Sequence, residues 1–200
     1  MNIDAKFEKI TKYQDDPDII IPNRKTKSSA GYDFYVAEDT IIPAYGSAIE
    51  ADFANALAKD LSSYYGSFED FVKSLPYTLD TTATLTKKYG KKVTLVPTGV
   101  KAKMPDDWYL QLSVRSSLPL KHWLILGNGV GIIDADYYNN PDNEGHIILA
   151  LVNTGLQPLV LKKGERIAQG IFYKYLTTDD DNAAEKEERS GGFGSTGTIK

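Results

Sequence analysis

Short apolar segments separated by turn residues make up most of the chain. From Ile19 to Pro43 and again from Val93 to Tyr175, segments rich in Val, Ile, Leu and Tyr are interrupted by Gly, Pro, Asn or Asp. The interruptions come roughly every eight to twelve residues, which leaves no room for crossover helices and predicts an all-β sandwich or barrel. The clearest predicted strands are Val93–Pro97, Trp108–Val114, His146–Val152 and Pro158–Leu161.

One predicted strand is apolar at nearly every position. The segment from Ile147 to Val152 reads Ile-Ile-Leu-Ala-Leu-Val, without the alternation of a half-exposed strand. Such a segment is typical of a strand that is buried on both faces. We therefore expect it to be central in the fold or to lie at a subunit interface.

The pattern changes between residues 51 and 92. Apolar residues there recur at spacings of three and four, which predicts one or two amphipathic helices, divided at Gly66. Thr78–Lys88 and Val93–Val96 then resemble a hairpin that returns to the main sheet. We predict a β domain formed by residues 1–50 and 93–176, with residues 51–92 as a mainly helical insertion.

The C-terminal segment, residues 177–200, combines two compositions. Thr177–Arg189 is acidic and nearly free of apolar residues, which predicts a solvated, flexible arm. Arg189–Gly197 is rich in Gly, Ser and Thr but contains Phe193. A disordered tail is one interpretation. Glycine amides and hydroxyls can also surround phosphates, while a Phe ring can stack on a nucleobase, so a nucleotide-binding segment is the other.

Composition excludes several functions. The chain has no Cys, so it has neither a thiolate nucleophile nor Cys-ligated zinc. A net charge of −4 argues against a nucleic-acid surface. No apolar run is long enough for a membrane span, and the charged N-terminus does not resemble a secretion signal, so a cytoplasmic location is expected. His122 and His146 lack any metal-ligand spacing, and we expect neither to be catalytic.

Three segments carry candidate chemistry. Arg115-Ser116-Ser117 follows a predicted strand and offers phosphate donors, although an exposed turn is the simpler interpretation. Gly127–Gly131 suggests a tight hairpin whose backbone and Asn128 side chain could bind a ligand edge. Asp134 directly follows an apolar pair, where partial burial would make it a usable general base. A turn with solvated carboxylates is the alternative.

Together these segments resemble the trimeric dUTP pyrophosphatases. All five motifs of that family occur in order, and the resemblance covers roughly residues 20–50 and 93–198. The motifs are Ala30-Gly31-Tyr32-Asp33, Arg115-Ser116-Ser117-Leu118, Asn128 to Tyr137, Gly164-Glu165-Arg166-Ile167-Ala168-Gln169, and Arg189 to Gly197.

The resemblance implies a jelly-roll (β-clip) fold of mostly antiparallel strands and a homotrimer with active sites shared between subunits. It implies hydrolysis of dUTP to dUMP and pyrophosphate, with Asp134 activating the water that attacks the α-phosphate. Tyr137 would pack under the deoxyribose and exclude a 2′-hydroxyl. Asn128, Ile132 and Ile148 would read uracil, and Phe193 would cover it. The implied phosphate contacts are Arg115, Ser116, Ser117, Gln169, Arg189, Gly194, Ser195 and Thr196.

The family also implies Mg²⁺ as cofactor, held by substrate phosphates and waters rather than by direct protein ligands. Asp33 would hold a metal-bound water or serve a structural role. Ser117 and Pro119 depart from the residues usual in the second motif, so the local backbone is expected to differ. Arg189 is one residue closer to Phe193 than is usual, which leaves its phosphate contact open.

Two alternatives remain at this stage. A dCTP deaminase of the same fold would need a Glu before the Asn153-Thr154-Gly155 turn, but the matching position is Ala150. A nucleotide-sensing regulatory protein could instead use the insertion at 51–92 to bind a protein partner.

Overall fold

The computed structural model describes residues 4–44, 93–155 and 157–186, together with residues 189 and 191. The predicted insertion at 51–92 and the residues Phe193, Gly194, Ser195 and Thr196 lie outside this described part. The domain boundaries at residues 50 and 93 therefore stay predictions.

Short strands dominate the described residues, in agreement with the sequence pattern. The strands are β1 (Lys6–Lys9), β2 (Tyr32–Tyr35), β3 (Thr40–Ile42), β4 (Thr94–Pro97), β5 (Val100–Lys103), β6 (Trp108–Val114), β7 (Leu124–Leu126), β8 (Gly131–Asp134), β9 (Ile148–Asn153), β10 (Leu159–Leu161) and β11 (Arg166–Lys174). The helical segments are α1 (Ser117–His122) and the 3₁₀ turns Thr11–Tyr13, Ala135–Tyr137 and Ala183–Glu185.

Every hydrogen-bonded pair of neighbouring strands among these is antiparallel. The largest sheet has the order β2-β11-β6-β8, and a three-stranded sheet has the order β4-β9-β7. Two further pairs, β1-β5 and β10-β3, complete the arrangement. The prediction of a mostly antiparallel all-β fold is confirmed.

One hydrophobic core joins the sheets. Leu110 and Leu112 of β6, Leu149 and Leu151 of β9, and Phe34 of β2 are fully or almost fully buried in the same cluster. Alternate residues of β6 point away from that core, as the two-residue period of a strand requires. Burial of each side chain of this size contributes about 1.5–3 kcal/mol to the free energy of folding. The core therefore determines which face of β6 and which face of β9 can carry polar groups.

Strand β9 is central, as predicted, but only one of its faces is buried in the single chain. Leu149, Leu151 and Asn153 are buried, whereas Ile148 and its neighbours on the other face remain partly exposed. The strand lies between β4 and β7. Burial on both faces would need a further layer over Ile148.

Two local predictions were wrong. Residues 127–130 do not close a hairpin, because β7 pairs with β9 whereas β8 pairs with β6. The turn instead carries the chain from one sheet to another, and the Gly127 N–H donates to the Ala150 carbonyl at 2.8 Å. Arg115-Ser116-Ser117 is also not a simple turn, since helix α1 begins at Ser117. Pro119 is tolerated there because the first turn of a helix leaves its N–H groups unpaired.

The acidic tail is exposed from Thr177 to Asn182, and the solvated, flexible arm stays a prediction. Its one regular element in the described residues is the 3₁₀ turn Ala183–Glu185. Among the helices of the described residues, none has the length and apolarity to cross a membrane.

Candidate active site

Asp134 is the last residue of β8, and it contacts Arg189 from the C-terminal tail. Arg189 Nη2 donates to Asp134 Oδ2 at 2.7 Å, and Nε donates to Asp136 Oδ1 at 2.9 Å. The Arg189 side chain is mostly buried, whereas half of the Asp134 side chain is exposed. One guanidinium therefore bridges two carboxylates at the point where β8 passes into the 3₁₀ turn Ala135–Tyr137.

The environment of Asp134 raises the pKa of its carboxyl above the ordinary value. Partial burial is the largest cause, the positive charge of Arg189 opposes it, and the negative charge of Asp136 reinforces it. A carboxylate that is partly desolvated but still reachable from solvent can accept a proton from water. The candidate general base is thus chemically plausible in position and environment.

Tyr137 follows Asp134 closely and is buried, with only 7% of its surface exposed. The Arg189 guanidinium lies over its ring, with Cζ 5.6 Å from the ring centroid. On the opposite side, the Tyr137 hydroxyl donates to the His146 carbonyl at 3.0 Å and accepts from Asn143 Nδ2 at 2.8 Å. The ring is therefore fixed at its hydroxyl end and covered on one face by Arg189.

Asp33 forms a second charged cluster on β2. Its Oδ1 lies 3.4 Å from Arg115 Nε, and its Oδ2 accepts from Arg166 Nη1 at 3.1 Å. Asp33 is buried, while both arginines remain partly exposed. Because both carboxylate oxygens already bind guanidinium groups, the geometry favours the structural role for Asp33 over the water-holding one.

A bulge in β11 brings the side chains of Arg166 and Gln169 to one face. Arg166 lies opposite Tyr35 and Gln169 lies opposite Asp33, with a register shift between Arg166 and Ala168. Residues three apart would point to opposite faces of a regular strand, and one extra residue restores the common face. Gln169 also packs on Gly31, where a Cβ would come within 2.9 Å of its Oε1.

The two serines of the second motif flank the Asp33 cluster. Ser116 is exposed just before α1, and Ser117 is the first residue of that helix. The Leu118 N–H donates to the Arg115 carbonyl at 2.9 Å, which closes the turn that carries both hydroxyls. The structure thus brings Arg115, Ser116 and Ser117 together at one end of β6.

The residues predicted to read a base lie on three different elements, a turn and one strand from each of the two larger sheets. Asn128 is exposed in the turn between β7 and β8, and Ile132 of β8 is 49% exposed. Ile148 begins β9 and pairs with Pro97 of β4. Because Ile132 is half exposed and close in sequence to the turn at Asn128, its side chain is available for contact with a ligand and does not belong to the core.

The Asp134 and Arg115 clusters are far apart in the single chain. Asp134 pairs with Tyr109 near the start of β6, whereas Arg115 follows the end of that strand. The stretch from Tyr109 to Arg115 spans about 20 Å at about 3.3 Å per residue. No hydrogen bond or ion pair within the described part of the chain joins the two clusters.

His146 has a structural role. The Gly99 N–H donates to His146 Nε2 at 3.0 Å, and the ring packs edge-on against Tyr13. Burial lowers the pKa of His146 to about 4. A neutral, buried imidazole that accepts a backbone hydrogen bond agrees with the expectation that it is not catalytic.

Four residues that contact the candidate site residues were given no role from the sequence. Asp136 shares Arg189 with Asp134, and Arg166 shares Asp33 with Arg115. Asn140 and Asn143 hold the segment after Tyr137. The run Asn140-Pro141-Asp142-Asn143 has strong turn-forming composition, which could have marked this segment, whereas nothing local marks Arg166 as a partner of Asp33.

Comparison with known proteins agrees with this geometry. The model of the dUTPase family matches residues 75–197. The chain is 39% identical over 191 residues to the deoxyuridine 5'-triphosphate nucleotidohydrolase of Lactococcus lactis, covering 96% of each chain. The enzyme of that name from Rickettsia felis is 36% identical over 146 residues, which are 70% of this chain and 94% of the relative.

Solved structures give a consistent result. The chain resembles the crystal structure of a dUTPase from Streptococcus mutans with a TM-score of 0.61 and 37% identity, over 87% of this chain and 98% of that one. It shares the fold of the dUTPase from phage phi11 of S. aureus, which has a species-specific insert, with a TM-score of 0.56 at 14% identity over 92% and 97% of the two chains. By sequence and by structure, the chain belongs to the dUTPase family.

Proposed function

We propose that this protein hydrolyses dUTP to dUMP and pyrophosphate, with Asp134 as the general base. The single observation that carries the proposal is the position of Asp134. Its half-exposed carboxyl has a raised pKa and lies beside Tyr137 at the end of β8. A dUTPase needs such a group to remove a proton from the water that attacks the α-phosphate.

Arg189 is proposed to exchange its carboxylate partners for phosphate. Its planar fork of donors now binds Asp134 and Asp136, and the same fork matches phosphate oxygens. When the triphosphate arrives, this exchange would free Asp134 to accept a proton. This proposal is consistent with the contact of Arg189 with Asp134 and Asp136. It is also consistent with the phosphate contact that the family resemblance implies for Arg189.

The phosphates are proposed to bind the Asp33 cluster and the residues that close over it. Arg115 supplies a guanidinium held in place by Asp33, and Ser116 and Ser117 supply hydroxyl donors beside it. Gln169 lies on the same face of the sheet, against Gly31. The proposed contacts from the tail are Gly194, Ser195 and Thr196.

Uracil and deoxyribose are proposed to bind the surface around Asn128. Asn128 and the exposed Ile132 would contact the base, as would Ile148, and Phe193 would lie over the ring. Tyr137 would lie under the sugar once Arg189 has moved from its ring. A ring pressed against the sugar leaves no room for a 2′-hydroxyl, so this contact would reject ribonucleotides.

We propose a homotrimer whose active sites combine residues from different subunits. Reacting groups must approach within about 3.5 Å, whereas about 20 Å of strand separates the Asp134 and Arg115 clusters in one chain. Exposed apolar residues such as Leu95 and Ile125 on β4 and β7 offer surface for a second copy. Shared sites would bring the two clusters to one substrate.

Mg²⁺ is proposed to reach the site with the triphosphate. Within the described residues no group of three candidate ligands forms a metal cage, and Asp33 is already paired with two arginines. The chain's own contribution would be Arg115, Ser116, Ser117 and Gln169, which would hold the phosphates that bind the ion. When bound, Mg²⁺ would offset the charge that develops on the phosphate oxygens.

The deaminase alternative has little support. Ala150 occupies the position where that chemistry needs a carboxylate, and its carbonyl is used by the Gly127 N–H. The relatives at 39% and 36% identity are named as dUTP nucleotidohydrolases. A protein partner for the segment 51–92 stays a prediction.

Pyrophosphate release from dUTP, dCTP, dTTP and UTP, measured side by side with Mg²⁺, tests the proposed function. We expect hydrolysis of dUTP with a kcat/KM at least about a hundredfold above that for each other nucleotide, because a 2′-hydroxyl would clash with Tyr137 and the proposed surface around Asn128 would discriminate between bases. Equal rates with dUTP and dCTP, or ammonia release from dCTP, would contradict it.

A further inference from the structure

We propose that Asn143 is a positioning residue that fixes the ring of Tyr137 and thereby sets the discrimination between deoxyribose and ribose. The inference rests on the proposed function, in which Tyr137 lies under the sugar. It adds a residue outside the five family motifs, in the long turn between the 3₁₀ turn Ala135–Tyr137 and β9.

The contact between the two side chains is direct. Asn143 Nδ2 donates to the Tyr137 hydroxyl at 2.8 Å, and that hydroxyl donates in turn to the His146 carbonyl at 3.0 Å. The hydroxyl therefore has one donor and one acceptor partner, on residues either side of Gly145. A ring held at its hydroxyl end by two hydrogen bonds cannot tilt without breaking one of them.

Asn143 is itself held rigidly. Its Oδ1 accepts from the Gly145 N–H at 3.1 Å and from Asn140 Nδ2 at 2.8 Å. These acceptor contacts direct its Nδ2 donor to the Tyr137 hydroxyl. Asn140 is buried, and its Oδ1 accepts from the N–H groups of Asp142 and Asn143, both at 3.1 Å.

The same network holds the backbone of Tyr137. Asn140 Nδ2 donates to the Tyr137 carbonyl at 2.9 Å. Gly145 has φ +80° and lies so close that a Cβ there would come within 2.5 Å of the Tyr137 carbonyl oxygen. Both ends of Tyr137, carbonyl and hydroxyl, are thus held by the turn that follows it.

The turn is tied to the body of the domain. The Glu144 carboxylate accepts from the Thr11 N–H at 3.1 Å and from its hydroxyl at 2.9 Å. On the other side, Lys101 Nζ donates to Asn139 Oδ1 at 2.6 Å. These anchors lie on β5 and on the 3₁₀ turn after β1. The turn that holds Tyr137 is therefore attached to the β domain and not to the C-terminal tail.

Rigid placement is what steric discrimination requires. A 2′-hydroxyl is rejected only when the ring beneath the sugar cannot yield, since a shift of about 1 Å would relieve the clash. Loss of the Asn143 hydrogen bond would allow the ring to tilt. Ribonucleotide would then be accepted better, whereas the deoxyribonucleotide, which meets no clash, would be affected less.

The test compares kcat/KM for dUTP and UTP in the wild type, Asn143→Ala, Tyr137→Phe and the double variant. We expect the dUTP/UTP ratio to fall about five- to tenfold in each single variant, as loss of one hydrogen bond allows. The double variant should show no further fall below Tyr137→Phe, because the loss of the hydroxyl already removes the hydrogen bond that Asn143 donates. Pro141→Ala, in the same turn but with an exposed side chain and no part in these hydrogen bonds, should keep the wild-type ratio.

Several outcomes would overturn the inference. In one, Asn143→Ala lowers kcat/KM for both nucleotides equally, which marks a merely structural role. In another, the two single effects multiply in the double variant. If Asn143→Ala does not fold, Tyr137→Phe decides the test by itself. An unchanged dUTP/UTP ratio in Tyr137→Phe would overturn the inference, and a five- to tenfold fall in that ratio would support it. A wild type without activity on dUTP would instead refute the proposed function, and this inference with it.

Discussion

Arg189 lies against Asp134 of its own chain, with Nη2 2.7 Å from Oδ2. The same guanidinium covers the ring of Tyr137. Arg189 therefore occupies part of the space proposed for substrate, and in the proposed mechanism it leaves the Tyr137 ring and Asp134 when the triphosphate binds.

Removal of the proposed base should abolish turnover. We expect Asp134→Asn to lower kcat by about 10²- to 10⁴-fold, the usual contribution of a general base, with little change in dUTP affinity. Affinity is measured by calorimetry with dUTP, since the inactive variant leaves the ligand intact. Asp106→Asn, at an exposed carboxylate without a proposed role in the reaction, is the matched control and should keep wild-type kcat. A kcat within about tenfold of wild type would remove Asp134 from the mechanism.

Arg189 should set the acidic limb of the pH profile. Activity requires ionised Asp134 and is lost as the pH falls through its pKa, which burial raises and Arg189 lowers. In Arg189→Gln the opposing charge is gone, so the limb of kcat/KM should move to higher pH, whatever the loss in rate. Arg24→Gln, which removes an exposed guanidinium elsewhere on the surface, serves as control. A limb that stays in place or moves to lower pH would show that Arg189 does not act on the base.

Asp33 should matter for both stability and phosphate binding. Asp33→Asn removes the charge that two guanidinium groups share, and we expect the free energy of unfolding to fall by about 1–3 kcal/mol. Because Arg115 loses its anchor, KM for dUTP should rise about tenfold or more. Urea unfolding and steady-state kinetics measure the two effects. The control is Asp39→Asn, at an exposed ion pair with Lys162, which should change the free energy of unfolding by less than about 1 kcal/mol. An equal change in Asp33→Asn and Asp39→Asn would contradict the central role of Asp33.

The sequence was sufficient for the antiparallel β fold and for several of its strands, whereas the roles of the candidate residues stay proposals. The spacing of turn residues identified β6, β9 and β10 because short strands and their interruptions are local features. Asp134 could be selected because its position after Ile132-Ile133 fixes it at a strand end. These inferences required only the two-residue period and the chemistry of single side chains.

Pairing across the fold could not be predicted in the same way. The turn after β7 looked like a hairpin because glycines and β-branched residues flank it, but long-range pairing of β7 with β9 and of β8 with β6 decided otherwise. The bulge at Ile167 and the Asp33–Arg166 pair likewise depend on register between β2 and β11. Register of distant strands follows from the assembled core, not from local composition.

His146 should make the fold sensitive to acid. Its pKa is lowered from 6.5 to about 4, so between these values the unfolded chain binds a proton that the folded chain excludes. Stability is therefore full above about pH 6.5 and falls towards pH 4, by about 3 kcal/mol in all. Urea unfolding at pH 7.5 and pH 5 should show a smaller difference for His146→Gln than for the wild type.

The control for this prediction is the second histidine. His122→Gln leaves the contact between His146 and Gly99 intact and should retain the acid sensitivity that His146 supplies. Equal pH dependence in the wild type and His146→Gln would show that other groups, not this imidazole, cause the loss of stability.

The separation of Asp134 from Arg115 predicts complementation between inactive subunits. Asp134→Asn and Arg115→Ala each damage one of the two clusters, so each homotrimer should be inactive or nearly so. After the two variants are unfolded and refolded together, mixed trimers should contain sites that take Arg115 from one subunit and Asp134 from another. With random assembly about a quarter of such sites would be intact, and pyrophosphate release from dUTP should return to about that fraction of wild type.

The control is each variant unfolded and refolded alone, which should stay inactive. One variant carries an affinity tag, and capture through that tag must also recover the untagged variant. Light scattering of the captured protein must give the mass of a trimer. If one chain supplied both clusters, every site in a mixed trimer would carry one lesion, and no activity would return. Inactive mixed trimers would therefore mean that the strand β6 does not separate the two clusters into different sites, and that Arg115 and Asp134 of one chain act on the same substrate.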